Sequence, residues 1–132
     1  MAHTIRCKLI TPEARVLDAE ILRANVPLHD GQTGIMHRTG ALVAKLGFGQ
    51  LRLDFPQGES KKWFIDGGFV QNVENELTIL ASGAIPVEKL DAAEAKAELA
   101  EAIARKPADP SEMPRITEAR NRARAKVTLA RR

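Results

Sequence analysis

The stretch "IDGGFVQNVENELTILA" (Ile65–Ala81) decides the fold. It reads as two short extended runs, "GFVQNV" and "ELTILA", joined by the turn signal "VENE". The period is two, which belongs to a strand with one buried and one wet face rather than to a helix. The same period extends in both directions along the chain. In "HTIRCKLI", Ile5, Cys7 and Leu9 face one way while Thr4, Arg6 and Lys8 face the other. "EILRANV" alternates Leu22, Ala24 and Val26 against Arg23 and Asn25, and "GQLRLDF" alternates Leu51, Leu53 and Phe55 against Gln50, Arg52 and Asp54. "KKWFID" adds a further run, and "PLHDGQTG", "LGFG" and "FPQGES" read as turns between runs. Many short, half-wet strands at this spacing predict an antiparallel β-sandwich or flattened barrel over residues 1–85.

Beyond "SGAIPVEKL" the period changes. "DAAEAKAELAEAIARK" is alanine-rich and strongly helical by propensity, and Asp91 with Glu94 has the spacing of a capping box, so a helix begins there. At about 100° per residue, Ala92, Ala95, Leu99, Ala102 and Ile103 form its packing stripe. "KPADPSEMP" reads as a turn, with the start of the next helix left open between Pro110 and Pro114. The second helix carries Ile116, Ala119, Ala123, Val127 and Ala130 on one stripe. Arg115, Arg120, Arg122, Arg124, Lys126 and Arg131 flank that stripe. An antiparallel hairpin over residues 86–132, acidic helix against basic helix, is the expected closed form. Its alanine stripes bury little area, so at roughly 25 cal/mol per Å² it is only marginally stable. The fold class is therefore α+β, a sandwich followed by a two-helix hairpin.

The net charge of +3 is unevenly placed. Residues 1–85 hold nine basic and nine acidic side chains, residues 86–112 four and seven, and residues 113–132 seven and one. The excess sits on the last helix, which points to a partner: nucleic acid, an anionic membrane or an acidic protein surface. Tyr is absent, and the one Trp and four Phe lie in strand patterns rather than among the arginines. That is poor material for stacking bases, although a nonspecific phosphate grip remains open. One cysteine, no secretory h-region and no apolar run near 20 residues make the chain read as cytosolic and soluble.

No catalytic constellation stands out. "HDGQTG" and "IDGGFV" lack a following Lys-Ser/Thr and read as strand turns or bulges rather than phosphate cradles. His3, His29 and His37 lack metal-ligand spacing, and Cys7 falls on a buried strand face as a small inert hydrophobe. Neither a metal nor a cofactor is expected.

The order of these pieces resembles the epsilon subunit of F-type ATP synthases, of the bacterial kind. "DGQTGIM" (Asp30–Met36) is similar to that family's DGxxGIL turn. "LVAKLGFGQLRL" (Leu42–Leu53) looks like its next strand, glycine turn and LRI strand, and Ile65–Ala81 is similar to SGGFLEVxxNxVTVLA. "EKLDAAEA" (Glu88–Ala95) is similar to the start of its first helix. There are departures. Thr39, Gly40 and Ala41 stand where the family has His-Ala-Pro, and Gln32 where many members have Glu. In the ATP-sensing motif Ile/Leu-Asp-x-x-Arg-Ala, Leu90 and Asp91 are kept but Glu94 replaces the arginine. A glutamate repels a triphosphate, which argues against nucleotide binding there.

The resemblance implies a non-catalytic central-stalk (rotor) subunit that couples a gamma subunit to a c-ring for proton- or sodium-driven ATP synthesis. It would be peripheral, at the cytoplasmic face of the inner membrane, touching the membrane only through the complex and binding no nucleic acid. It makes Asp30, Gly31, Gln32, Thr33, Gly34, Ile35, Met36 and His37 a loop facing the c-ring. Leu42, Val43, Leu46, Gly67, Gly68 and Phe69 would touch gamma. The hairpin becomes a regulatory element: folded on the sandwich it permits turnover, and opened along gamma it presses its basic helix on the alpha and beta catalytic subunits to inhibit hydrolysis. The alternative is a free β-sandwich binding module whose basic helix contacts nucleic acid.

Overall fold

At the N-terminal end, alternation becomes a strand: Ile5, Cys7 and Leu9 are buried in β1 (Ile5–Ile10). The structure is a computed structural model that describes residues 3–130. It divides after Pro86 into two units. In the first unit the strands that follow are β2 (Arg15–Ile21), β3 (Arg23–Leu28), β4 (Gly31–Met36) and β5 (Leu42–Asp54). Then come β6 (Ser60–Val73), β7 (Glu76–Ala81) and β8 (Ala84–Pro86). They form one sheet of order β2-β1-β7-β6-β5-β3-β4, with β8 added beside β6. β1 and β4 lie five places apart in that order, about 24 Å in a flat sheet. Yet Ile5, Cys7 and Leu9 of β1 share one core with Ile35 of β4. The sheet therefore folds over on itself into a sandwich.

Three features differ from the sequence-based expectation. "EILRANV" is two strands, because the chain bends at Leu22, whose N–H donates to the Asp54 carbonyl at 2.8 Å. Ile21 and Ala24 are both buried, so the inward parity flips across that corner and Leu22 is only half-buried. "LGFG" is not a turn: β5 runs straight through it. A Cβ on Gly47 would lie 2.8 Å from the Leu28 carbonyl oxygen, so this glycine marks where β3 crosses β5 closely. The "IDGG" glycines likewise lie inside the long β6 rather than between two strands. Finally, the sandwich is not wholly antiparallel. β1 and β7 pair in parallel, Arg6 opposite Glu76 through Ile10 opposite Leu80. Period-two alternation reports which face of a strand is buried and carries no information about its neighbour's direction.

Charged side chains collect where β3, β5 and β6 meet at the Leu22 corner. Asp54 accepts hydrogen bonds from Ser60 Oγ (2.7 Å), Arg52 Nε (3.0 Å) and Arg23 Nη2 (3.0 Å). The Ser60 hydrogen bond, followed by the two guanidinium groups, pulls this carboxyl down to about 2. At the other extreme, burial pushes the Cys7 thiol up to about 12, so it is chemically inert at neutral pH.

The second unit begins with a 3₁₀ turn, Val87–Lys89. Asp91 then caps α1 (Ala92–Ala104), its carboxylate accepting the Glu94 N–H at 3.0 Å. A second 3₁₀ turn, Pro110–Glu112, is capped by Asp109 and leads directly into α2 (Met113–Ala130). Pro114 sits in the first turn of α2, where its missing N–H has no intrahelical partner to lose. Arg120 reaches Ala102 while Lys126 reaches Glu98, so the partner positions on α1 recede as α2 advances and the helices are antiparallel. Ala95, Ala102, Ile116, Ala123 and Val127 are buried, whereas Ile103 is about half exposed and stands outside the packing stripe. It follows Ala102 by about 100°, which carries it off the stripe centred on Ala95 and Ala102.

Candidate functional site

The segment Asp30–His37 was expected as a loop, but Gly31–Met36 is the edge strand β4, paired antiparallel with β3 from Leu28 opposite Gly31 to Arg23 opposite Met36. Its alternation sends Ile35 into the core, fully buried, so Ile35 is unavailable to any partner. Gly31, Gln32, Gly34 and Met36 are exposed, and Thr33 is half-buried. Gln32 Nε2 donates across the strands to the Gln50 carbonyl at 3.3 Å. The strand ends in a braced turn. Thr39 Oγ1 accepts the Met36 N–H at 2.9 Å, Asn75 Oδ1 accepts the Arg38 N–H at 2.8 Å, and buried Asn72 Nδ2 donates to the Thr39 and Gly40 carbonyls. His37 stacks on His3 with ring centroids 4.6 Å apart. Asp30 lies in the turn before the strand. The segment is thus a stiff hairpin edge, not a flexible loop.

The six residues expected against gamma separate by strand parity. Leu46 is buried in the core and Leu42 is partly buried against it, so neither forms an outer surface. Val43 (75% exposed) and Phe69 (60%) point outward. Phe69 lies directly between Lys45 on β5 and Leu80 on β7, and Leu80 is itself 51% exposed. Val43 stands two residues from Lys45 on the same strand face, within diagonal reach of Phe69. Gly67 and Gly68 shape the strand beneath this cluster, with φ of 72° and 123°. At Gly68 a Cβ would collide with the Leu80 carbonyl oxygen and come within 2.9 Å of Ala81 Cα. Glycine here lets β6 approach β7 closely enough to set Phe69 beside Leu80. Leu80 was missed in the sequence, although an apolar residue on the wet side of "ELTILA" was the signal for it.

The basic residues of α2 do not act as one patch. Arg120 turns inward: its Nε donates to the Ala102 carbonyl at 3.0 Å, and its Nη2 to the Ile103 and Arg105 carbonyls at 3.2 Å each. Lys126 pairs with Glu98 at 3.2 Å, and Arg122 is half-buried and also engaged. Arg115 and Arg124 are exposed. Arg131 lies outside the described residues. The expected acid-against-base hairpin is therefore realised through Lys126 and Glu98, while Arg120 binds backbone carbonyls instead of a glutamate.

At the nucleotide motif, Asp91 is used as the α1 cap, Leu90 donates its N–H to the Val87 carbonyl at 3.1 Å, and Glu94 is exposed. Among the described residues no group of three His, Cys, Asp or Glu side chains is placed to hold a metal ion. No described helix is long and apolar enough to cross a membrane.

Residues 4–87 match the family model for the ATP synthase delta/epsilon chain, beta-sandwich domain. An ATP synthase epsilon chain of Rhodopirellula baltica is 35% identical over 128 residues, covering 97% of this chain and 99% of that one. This chain belongs to the ATP synthase delta/epsilon-chain family. As a member it is a subunit of an ATP synthase, and the match to the relative continues through both helices. Two solved structures share the fold. A chain of the Euglena gracilis mitochondrial ATP synthase, OSCP/F1/c-ring in rotational state 1, aligns with a TM-score of 0.81 at 21% identity, covering 95% of this chain and 79% of that one. One from the Tetrahymena thermophila mitochondrial ATP synthase central stalk/c-ring aligns with a TM-score of 0.76 at 15% identity, covering 95% of each.

Proposed function

We infer that this family member is a non-catalytic central-stalk (rotor) subunit of an ATP synthase, seated between a gamma subunit and a c-ring. The assembly would be peripheral, at the cytoplasmic face of the inner membrane, and would couple proton or sodium flow to ATP synthesis. The observation that carries this reading is the outward cluster of Val43, Phe69 and Leu80. Apolar side chains grouped on the wet face of an ordered sheet mark a protein–protein surface, and gamma is the partner the family supplies. The β4 edge, with Gln32, Gly34 and Met36 facing out, is the part suited to the c-ring. Its paired, braced backbone would transmit torque with little give.

The helical unit serves as a regulatory brake on hydrolysis. With Arg120, Lys126 and Arg122 engaged, Arg115 and Arg124 are, among the described residues of α2, the basic side chains left to grip acidic surfaces of the alpha and beta catalytic subunits. The capping role of Asp91 and the acidic Glu94 favour a unit that senses no nucleotide at this motif. The alternative module, gripping nucleic acid through the basic helix, draws no support from the family match.

The test is ATP hydrolysis by the cognate complex carrying the full chain, a chain ending at Pro86, or an Arg115→Ala/Arg124→Ala variant. The truncated form should hydrolyse fastest. The double variant should be relieved by a few-fold, as two exposed ion pairs of about 0.2–1 kcal/mol each allow. Equal rates with normal assembly would refute the brake. Failure of every form to join the complex would refute the rotor role.

A further inference from the structure

The geometry points to Arg120 as the latch that holds the helical hairpin closed, acting in the opposite sense to the outward arginines of the same helix. The inference deepens the proposed brake, but its primary test does not depend on that proposal.

The case starts from how α1 ends. A helix leaves its last four carbonyls without intrahelical donors, and these are usually met by a glycine in the left-handed conformation or by a nearby cation. α1 has neither device. Its C-cap is Arg105 in an extended conformation (φ −65°, ψ 131°), no basic residue lies in its last turn, and Arg105 turns to Glu101 at 3.2 Å. The donors come instead from the other helix. Arg120 gives three N–H bonds to the carbonyls of Ala102, Ile103 and Arg105, placing a fixed positive charge against the negative end of the α1 dipole.

A planar guanidinium is suited to this because one rigid group serves carbonyls on successive residues. The remaining packing is thin: Ala95, Ala102 and Ala123 account for much of the buried stripe, and alanine contributes little area. Opening the hairpin therefore strips three charge-assisted hydrogen bonds from a helix end that has no substitute of its own. A further tie joins Lys126 to Glu98, a single contact nearer the other end of the hairpin.

The test uses the full chain with spin labels at Ala93→Cys and Thr128→Cys. Both sites are exposed and off the packing stripes, one near the start of α1 and the other near the end of α2. Cys7 is fully buried and leaves the labels to the introduced thiols. In the parent background the distance distribution should be short. Arg120→Ala should raise the long-distance fraction about tenfold, as the loss of hydrogen bonds to a charged donor implies. Arg120→Lys should restore only part of the closed population, because a point charge cannot reproduce the fork. An unchanged distribution in Arg120→Ala, or full rescue by lysine, would overturn the latch. So would loss of helical circular dichroism in both Arg120→Ala and Arg120→Gln, since Arg120 would then be needed for the helices to form at all. In the assembled complex the latch variant should slow hydrolysis, whereas Arg115→Ala/Arg124→Ala speeds it. Opening without slower hydrolysis would leave the latch standing and refute the brake.

Discussion

Gly68 offers the sharpest test of how the outward Phe69–Leu80 face is built. In Gly68→Ala the new Cβ runs into backbone atoms on β7, the Leu80 carbonyl and Ala81 Cα, and none of these is the tip of a flexible side chain. The φ of 123° is also forced on a residue that no longer tolerates it, at about 1–3 kcal/mol. Relieving the collision means moving β6 off β7. That threatens the neighbouring Ser82 N–H to Gly67 carbonyl and Asp66 N–H to Gly83 carbonyl bonds, at 3.0 and 2.9 Å, each worth about 0.5–1.5 kcal/mol. The sum is about 2–6 kcal/mol, a large part of the 5–15 kcal/mol that typically holds a domain together. Trp63 is the one tryptophan and is buried in the sandwich core, so its fluorescence reports on this unit. With a urea slope of about 1–3 kcal/mol per M, the midpoint should fall by at least about 0.7 M. Gly34→Ala is the control, since nothing lies within 4 Å of its added Cβ and its φ is not positive; it should stay within about 0.5 kcal/mol of the parent. A Gly68→Ala protein within 1 kcal/mol of the parent would show that β6 can slide at this point, and the account of the Phe69–Leu80 surface would fail.

Phe69→Ser with Leu80→Ser should leave the urea midpoint nearly unchanged, because both side chains are largely exposed, while weakening co-purification with gamma by at least tenfold; normal assembly of that variant would remove this face from the interface. Asp54 supplies a pH test. Its carboxyl is held at about 2 in the fold against about 3.9 in the unfolded chain, so its contribution is present above pH 4 and lost as the pH falls through 2. Allowing for partial solvent exposure, the parent should lose about 1–2 kcal/mol more stability than Asp54→Asn between pH 5 and pH 2, followed by Trp63 fluorescence in urea. Parallel curves would mean that Ser60, Arg52 and Arg23 do not favour the carboxylate.

Much of the sandwich could be read from the chain because burial and strand period are local properties. Ile5, Cys7 and Leu9, and again Leu51, Leu53 and Phe55, lie inward as their alternation requires. What escaped were facts about neighbours. A glycine looks the same in sequence whether it turns the chain, as "LGFG" was read, or lets another strand pass close by, as Gly47 does for β3. β4 reads as a loop in the sequence because its glycines outweigh a short alternation that includes buried Ile35. The resemblance puts Leu46 and Val43 in one contact region, but the pleat sends them to opposite faces. In the sequence Arg120 looks like the outward arginines, because charge is visible there while the orphan carbonyls it serves are not. A hint was present in "ARKPADP", which carries no glycine to close α1.

The parallel ladder between β1 and β7 has a consequence for how the protein comes into being. Arg6 is paired with Glu76 and Ile10 with Leu80, so the first strand made finds its inner neighbour only when nearly the whole unit has left the ribosome. Until then β1 can hold only β2, and an isolated two-stranded hairpin is marginally stable in water. The entropy of closing so long a loop is lost before the contacts that reward it form, which makes this step the slow one. The helical unit, whose contacts lie close along the chain, faces no such delay. Synthesis thus delivers a helical unit that folds promptly, joined to a sandwich whose first strand takes its place in the sheet last.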